Sequence, residues 1–95
     1  MAKAKTIIVS KEAWVHVKNS EREKRGFKKL SDSFIERMWN NGFRNAGANP
    51  ETHPIGENEI RLCECDYHFS SLLKELENAG FTWREDGFVQ EYINI

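Results

Sequence analysis

The sequence lacks the features that mark a membrane-spanning, secreted or phosphate-binding protein. No apolar run approaches the roughly 18 residues that cross a bilayer, and the run at residues 7–9 is too short for the core of a signal peptide. The glycines are isolated and form no phosphate-binding motif ahead of a predicted helix. We therefore expect a soluble, cytoplasmic protein that has no membrane partner.

Cysteine is scarce, with Cys63 and Cys65 as the whole supply. In a predicted strand both side chains lie on one face, at a separation that suits a disulfide poorly, so we expect free thiols and a reducing compartment. His68 follows closely, but a zinc site usually needs four ligands in spaced pairs, and His16 and His53 stand apart as single residues. The sequence therefore predicts no metal and no cofactor.

Catalytic signatures are also missing. No glycine-rich nucleophile elbow or oxyanion-forming motif accompanies the Cys and His residues, and pairs of carboxylates can be chosen from any acidic segment. We therefore expect a non-catalytic protein. A small enzyme that uses Cys and His residues or paired carboxylates is the last of our functional alternatives.

The chain does contain enough apolar material for one core, since 39% of its 95 residues are hydrophobic and 12% are aromatic. We predict a single domain over residues 1–95. Its charge is unevenly divided, because residues 1–47 carry 11 basic and 5 acidic side chains, whereas residues 48–95 carry 3 basic and 10 acidic ones. The basic half and the acidic half either attract each other or present their fields to different partners.

The clearest element is an amphipathic helix predicted over residues 66–81, which must bury one face. Its apolar stripe consists of Phe69, Leu72, Leu73, Leu76 and Ala79. Asp66 is placed to accept hydrogen bonds from the amides of the first turn. Gly80 suits the left-handed conformation that ends a helix, after which Phe81 folds back on Leu76.

Residues on both sides of this helix have the composition of strands. Residues 59–65 and 88–95 are rich in β-branched, aliphatic and aromatic side chains, which predicts a strand in each range. Between residues 81–83 and 88–92 lies the sequence Arg84-Glu85-Asp86-Gly87, whose Asp-Gly suits a turn with a positive φ. A terminal hairpin is therefore predicted.

The N-terminal half allows more than one assignment. Residues 5–10 predict a strand, whereas residues 13–18 predict either a second strand or, with Ser10 as its cap, a short helix. Ser20 and Glu23 have the spacing of a capping box, which predicts that a helix begins there.

The helix that follows is predicted to extend to Asn41. Its apolar stripe consists of Phe27, Leu30, Phe34, Ile35 and Met38. The helix is either continuous or broken near residues 26–30, with a restart at Ser31 or Ser33. Residues 34–41 are helical in both interpretations.

Residues 44–58 hold both prolines and no periodic apolar pattern, which predicts a surface loop. Together these elements predict an α+β fold, a small two-layer domain with two helices packed on a mostly antiparallel sheet. A ferredoxin-like, split βαβ arrangement uses the same elements, although one strand that it requires is missing after Phe43.

The first of two candidate binding surfaces is acidic, and the sequence does not decide which of the two is the functional one. Its members are Glu57, Glu59, Glu85, Asp86 and Glu91. A concentrated acidic field steers a basic partner and speeds its association. We therefore expect a small regulatory or inhibitory protein that binds a larger protein or a nucleoprotein through charged faces.

The second candidate surface is basic and consists of Arg22, Arg25, Lys28 and Lys29. On a continuous helix, Arg22, Arg25 and Lys29 project away from the apolar stripe, where they can follow a phosphate backbone. This surface predicts a nucleic-acid-binding module as the alternative function. Acidic neighbours and a pI of about 6.3 oppose that alternative, because dedicated nucleic-acid binders are usually strongly basic.

Overall fold

The computed structural model describes residues 3–90, which form three helices and a three-stranded sheet. In chain order the elements are β1 (Lys3–Ser10), α1 (Lys11–Lys24), α2 (Asp32–Asn40), a 3₁₀ turn (Phe43–Asn45), β2 (Glu59–Cys63), α3 (Phe69–Asn78) and β3 (Arg84–Gln90). Strand β1 is central in the order β2-β1-β3 and pairs antiparallel with both neighbours. The predicted α+β class is confirmed, with one helix more than predicted.

The core lies between one face of the sheet and the helices. Ile7 and Val9 of β1 stand opposite Leu62 and Ile60 of β2, so these four side chains share a face. The helices contribute the rest of this cluster, which is Ala13, Trp14, Val17, Ile35, Leu72 and Leu76. The apolar stripe predicted for α3 is thereby confirmed as a core face for Leu72 and Leu76, with Phe69 and Leu73 packed against the core, whereas Ala79 is exposed at the end of the helix.

Helix α1 begins directly where β1 ends. The side chain of Ser10 accepts a hydrogen bond from the amide of Ala13 at 3.1 Å, which caps the helix as one of the two assignments predicted. The alternative strand over residues 13–18 is wrong. The capping box at Ser20 is also wrong, because Ser20 lies inside α1 and its hydroxyl bonds Glu75 of α3 instead of a local amide.

A turn separates α1 from α2, so the continuous helix is wrong and the broken one is confirmed. Gly26 has a φ of +76°, which ends the helical path, and the side chain of Asn19 accepts a hydrogen bond from the Leu30 amide at 2.8 Å. Ser31 then caps α2 by accepting a bond from the Phe34 amide at 3.3 Å.

Helix α3 begins later than predicted. It starts at Phe69, and the cap residue His68 makes no side-chain hydrogen bond to the helix. Asp66 is not the cap, because its amide donates to the Cys63 carbonyl in the turn that follows β2. The predicted end is confirmed, since Gly80 has a φ of +82° and the Phe81 amide donates to the Leu76 carbonyl at 2.9 Å.

The predicted terminal hairpin is wrong, because residues 84–87 belong to β3 and form no turn between strands. Thr6 of β1 stands opposite Gly87, while the next residue, Ile7, stands opposite Glu85. Asp86 is therefore the extra residue of a β-bulge, and Gly87 adopts the positive φ of +83° that the Asp-Gly pair had suggested. The part of the predicted strand beyond residue 90 lies outside the described residues.

The segment over residues 44–58 is a surface loop, as predicted, apart from the 3₁₀ turn at its start. Arg61 fastens it to the sheet, because its guanidinium donates to the carbonyls of Asn45 at 3.3 Å and His53 at 2.8 Å. A ferredoxin-like arrangement has four strands, of which residues 3–90 supply three, and it stays a prediction. Among the helices described here, none is long and apolar enough to cross a membrane.

Candidate functional site

The turn between α1 and α2 gathers the predicted basic residues at one end of the molecule. Arg22 organises this turn, because its Nε donates to the Lys28 carbonyl at 2.6 Å and its own carbonyl accepts from the Phe27 amide at 2.8 Å. Its guanidinium also lies 5.6 Å from the centre of the Phe27 ring, within range of a cation–π contact.

We call Arg22, Arg25, Lys28 and Lys29 the basic face. Arg25, Lys28 and Lys29 are exposed, and Arg22 is partly buried. None of the ion pairs formed within residues 3–90 includes any of these side chains. Their charge is therefore not offset by a direct carboxylate contact in the part of the chain that is described.

An apolar groove of about 300 Å³ runs beside this face, between α1 and α2. Its apolar lining consists of Trp14, Phe27, Leu30, Phe34 and Met38. Lys18, Arg22 and Arg25 form a basic rim, in which Glu21 is the acidic member and lies 3.8 Å from the Lys18 ammonium. The site thus combines a concave apolar surface with an excess of positive charge.

One side of the groove is buried and well packed, and the other side is exposed. Trp14 is 1% exposed, and its ring lies 5.3 Å from Phe43 and 5.9 Å from Trp39 in tilted aromatic contacts. Phe27 is 61% exposed, while Phe34 on α2 is partly buried. The exposed part of this lining is apolar surface that a partner can cover.

The predicted acidic residues are placed differently from the basic ones. Both carboxylate oxygens of Glu59 accept from the Arg84 guanidinium, at 2.9 and 3.0 Å. Glu85 lies 3.3 Å from Lys5, and Asp86 accepts from the buried Arg61 at 2.5 Å.

Of the remaining acidic candidates, Glu57 is described and Glu91 is not. The side chain of Glu57 is exposed, but its carbonyl accepts from Trp39 and Arg44 on the other side of the loop. Glu91 lies outside the described residues. Glu59, Glu85 and Asp86 each face a basic partner from the same sheet, so the structure pairs these acidic charges within the molecule.

The prediction of free thiols is wrong, because Cys63 and Cys65 are joined in a disulfide. Strand β2 ends at Cys63 and the chain turns, which brings the two Cα atoms to 5.1 Å. A continued strand would hold them about 6.6 Å apart, near the upper limit for a disulfide. The inference of a reducing compartment loses this support. Residues 3–90 contain no His, Cys, Asp or Glu cluster able to hold a metal.

A polar cluster between α1 and α3 escaped the sequence analysis. Oε1 of Glu75 accepts from the Ser20 hydroxyl at 3.1 Å and lies 3.1 Å from Nε2 of His16. The Ser20 bond lowers the pKa of Glu75 below its ordinary value of 4.5, partial burial opposes the shift, and His16 and Lys24 add to the lowering. Because Ser20 and His16 of α1 both contact one carboxylate oxygen of Glu75, the cluster connects α1 to α3.

Sequence reasoning proposed the basic residues but missed the groove beside them. It placed Phe27, Leu30, Phe34, Ile35 and Met38 on one apolar stripe. Ile35 is buried, and Leu30 and Met38 pack against the core, whereas Phe27 lies beyond the turn at Gly26 and is 61% exposed. Gly26, which suits a turn, and Ser31, which suits a helix cap, were the sequence signals for a break between α1 and α2. Comparisons of this chain with protein-family models, with curated proteins and with solved structures found no match.

Proposed function

We propose that this chain is a small non-catalytic binding protein, a regulator or inhibitor that contacts a larger protein through the basic face and the adjoining groove. One observation carries the proposal. The described basic side chains of this face have no ion-pair partner, and two of them, Arg22 and Arg25, border the apolar groove, whereas Glu59, Glu85 and Asp86 are paired internally. The partner segment that fits is acidic and carries at least one large apolar side chain.

The distribution of charge favours an acidic protein segment over a nucleic acid. The whole chain has a net charge of −1, and residues 48–95 carry 10 acidic side chains. A nucleic acid is a long polyanion, and its electrostatic interactions reach over about a Debye length. The acidic half of this chain would therefore repel it. A short peptide responds to the local charge, and its apolar side chain gains free energy by entering the groove.

The test is a selection of random peptides displayed on phage against the immobilised protein. We expect enrichment of peptides that combine Asp or Glu with a large aliphatic or aromatic residue. The triple variant Arg25→Glu, Lys28→Glu, Lys29→Glu should lose that enrichment, because it reverses the exposed charges without touching the core. Lys74→Glu, an exposed change on α3, is the matched control and should retain it. Enrichment without an acidic bias would reject the proposal.

A parallel measurement addresses the nucleic-acid alternative. Fluorescence anisotropy with labelled single-stranded and double-stranded DNA, at the same salt as a selected peptide, compares the two ligand classes directly. We expect weaker binding of both DNAs than of the peptide. Tighter binding of either DNA, lost in the triple variant, would make a nucleic-acid-binding module the better description.

The acidic surface proposed from the sequence is tested in the same assay. Glu57→Lys and Glu85→Lys reverse two exposed charges and should leave peptide enrichment unchanged, because the proposed contact lies at the other end of α1. Slower association of a larger partner with these variants at low salt would instead restore the acidic residues as the binding surface.

The cytoplasm is our proposed location. Because cytosolic thiols reduce most disulfides, we expect the Cys63–Cys65 disulfide to be open there. It links residues that are 2 apart in sequence, so it closes a very short loop and restricts the unfolded chain little. The reduced protein should therefore fold as well, and alkylation of thiols in intact cells measures the redox state there.

A further inference from the structure

We infer that the groove binds one face of an amphipathic α-helix. This inference rests on the proposed function and adds the conformation of the partner segment. The groove is bounded along its length by α1 and α2, and its lining follows helical spacing on both. Trp14, Lys18 and Arg22 repeat every four residues on α1, as do Phe34 and Met38 on α2. A third helix laid along such a groove packs its side chains between these rows.

Two apolar residues of α2 keep part of their surface in the groove. Ile35 is the buried residue of α2, while Phe34 and Met38 line the groove and are partly buried, with Met38 also packed against the core. Residues four apart lie on one side of a helix, so Phe34 and Met38 present a continuous apolar row. A partner helix with large aliphatic side chains at positions i, i+4 and i+7 matches the spacing of that row.

Positive charge lies on both sides of the apolar row. Arg22 and Arg25 border the groove on the α1 side, and Arg37 of α2 lies 5.8 Å from the ring of Phe34. When a partner helix places its apolar stripe against this row, the positions that flank the stripe lie near these guanidinium groups. Glu or Asp at those positions forms charge-assisted hydrogen bonds, and Arg suits this role because its fork can bind a carboxylate through two bonds. The acidic residues of the partner therefore flank its apolar stripe.

The experiment uses a labelled synthetic peptide of about 14 residues, or roughly four helical turns, with Leu at i, i+4 and i+7 and Glu at the flanking positions. A scrambled peptide of identical composition is the control for periodicity. A peptide with Lys in place of Glu is the control for charge. We expect the periodic acidic peptide to bind at least about tenfold more tightly than either control in fluorescence anisotropy. Its Cα chemical shifts should move to helical values in the complex.

Two matched variants assign the binding to the groove. Phe27 and Phe88 are both exposed, by 61% and 59%, so replacing either with Ser leaves the core intact. Phe27 lines the groove, whereas Phe88 lies on β3. We expect Phe27→Ser to weaken binding of the periodic peptide about tenfold and Phe88→Ser to leave it unchanged. Equal affinity of both variants would overturn the assignment to the groove.

The outcomes separate this inference from the proposed function. Equal binding of the periodic and the scrambled acidic peptides overturns the helical inference and leaves the acidic partner in place. Equal binding of the Lys peptide, or an absence of binding by both acidic peptides, overturns the proposed function itself. Tight binding of the periodic peptide that is lost in Phe27→Ser supports both.

Discussion

The guanidinium of Arg61 reaches over the central strand of the sheet to Asp86. Arg61 lies on β2 and Asp86 on β3, which are separated by β1, and Nε of Arg61 donates to Oδ2 of Asp86 at 2.5 Å. The arginine side chain is fully buried, and its remaining donors bind the carbonyls of Asn45 and His53. One side chain thus connects both edges of the sheet and the long loop.

The first prediction is that Asp86→Asn destabilises the domain by about 3 kcal/mol. The change removes the carboxylate that compensates the charge of a buried guanidinium, and an uncompensated buried charge is costly. Urea unfolding measures the free energy difference. Glu85→Gln, which breaks the exposed pair with Lys5, is the control and should cost less than about 0.5 kcal/mol. Equal stability of the two variants would refute the structural role of the pair.

A second prediction concerns the core face of α3. Leu72→Ala and Leu76→Ala should each cost about 2–5 kcal/mol, because both side chains are buried, at 4% and 0% exposure, and each leaves a cavity. Glu77→Ala changes an exposed residue of the same helix and should be close to neutral. Thermal unfolding compares the three variants, and parental stability of both leucine variants would contradict the core assignment.

Where residues act through their neighbours along the chain, the sequence predicted the structure. The stripe of α3 and the Gly80 stop follow from side-chain periodicity and backbone conformation, and both are confirmed. Where residues act through distant partners, local patterns were insufficient. Ser20 was predicted to begin a helix, but its side chain binds Glu75 and that of the preceding Asn19 binds the Leu30 amide, contacts that the sequence order does not reveal.

The bulge in β3 shows the same limit in another form. Asp86-Gly87 requires a positive φ both in a hairpin turn and in a bulge, and the local sequence does not distinguish them. Whether Asp86-Gly87 forms a turn or a bulge depends on the pairing with β1, in which Thr6 and Ile7 pair with the residues on either side of Asp86. The groove was missed for a related reason. The turn between α1 and α2 sets the position of α2 relative to α1, and the apolar pattern does not predict the geometry of that turn.

A third prediction is a pH dependence contributed by Glu75. Its pKa is lower in the folded protein than its ordinary value of 4.5, chiefly because Ser20 donates a hydrogen bond to it. Its stabilising contribution is therefore complete above the unfolded pKa and is lost as the pH falls through the folded pKa. The difference in unfolding free energy between the parent and Glu75→Gln should shrink as the pH falls below 4.5, the ordinary pKa of Glu75, toward its lower folded pKa.

The control for this titration is Glu77→Gln, because the exposed Glu77 makes no side-chain hydrogen bond to any described residue. Its stability curve should run parallel to that of the parent at every pH. A difference between the parent and Glu75→Gln that keeps its size in acid would show that Glu75 does not contribute through its charge.

A fourth prediction is that the purified protein is disulfide-bonded but does not depend on that bond for folding. Intact mass should be about two hydrogens lower before reduction than after it, since Cys63 and Cys65 are joined. Reduction should cost less than about 2 kcal/mol, because the closed loop is short. Cys65→Ser should show no further response to reductant. Cooperative unfolding on reduction would contradict this expectation. Because no structural metal is predicted, a chelator should also leave stability unchanged.

Helix α1 continues directly from the central strand, so the sheet fixes the place where the helix begins. No linker separates Ser10 from Lys11, and the Lys11 amide also donates at 2.8 Å to the carbonyl of Asn58, the residue before β2. The 14 residues of α1 extend about 21 Å to the end that carries the basic face. A partner that binds at Arg25, as we propose, thus contacts a helix whose start is already fixed by the sheet. Binding should therefore order little additional backbone.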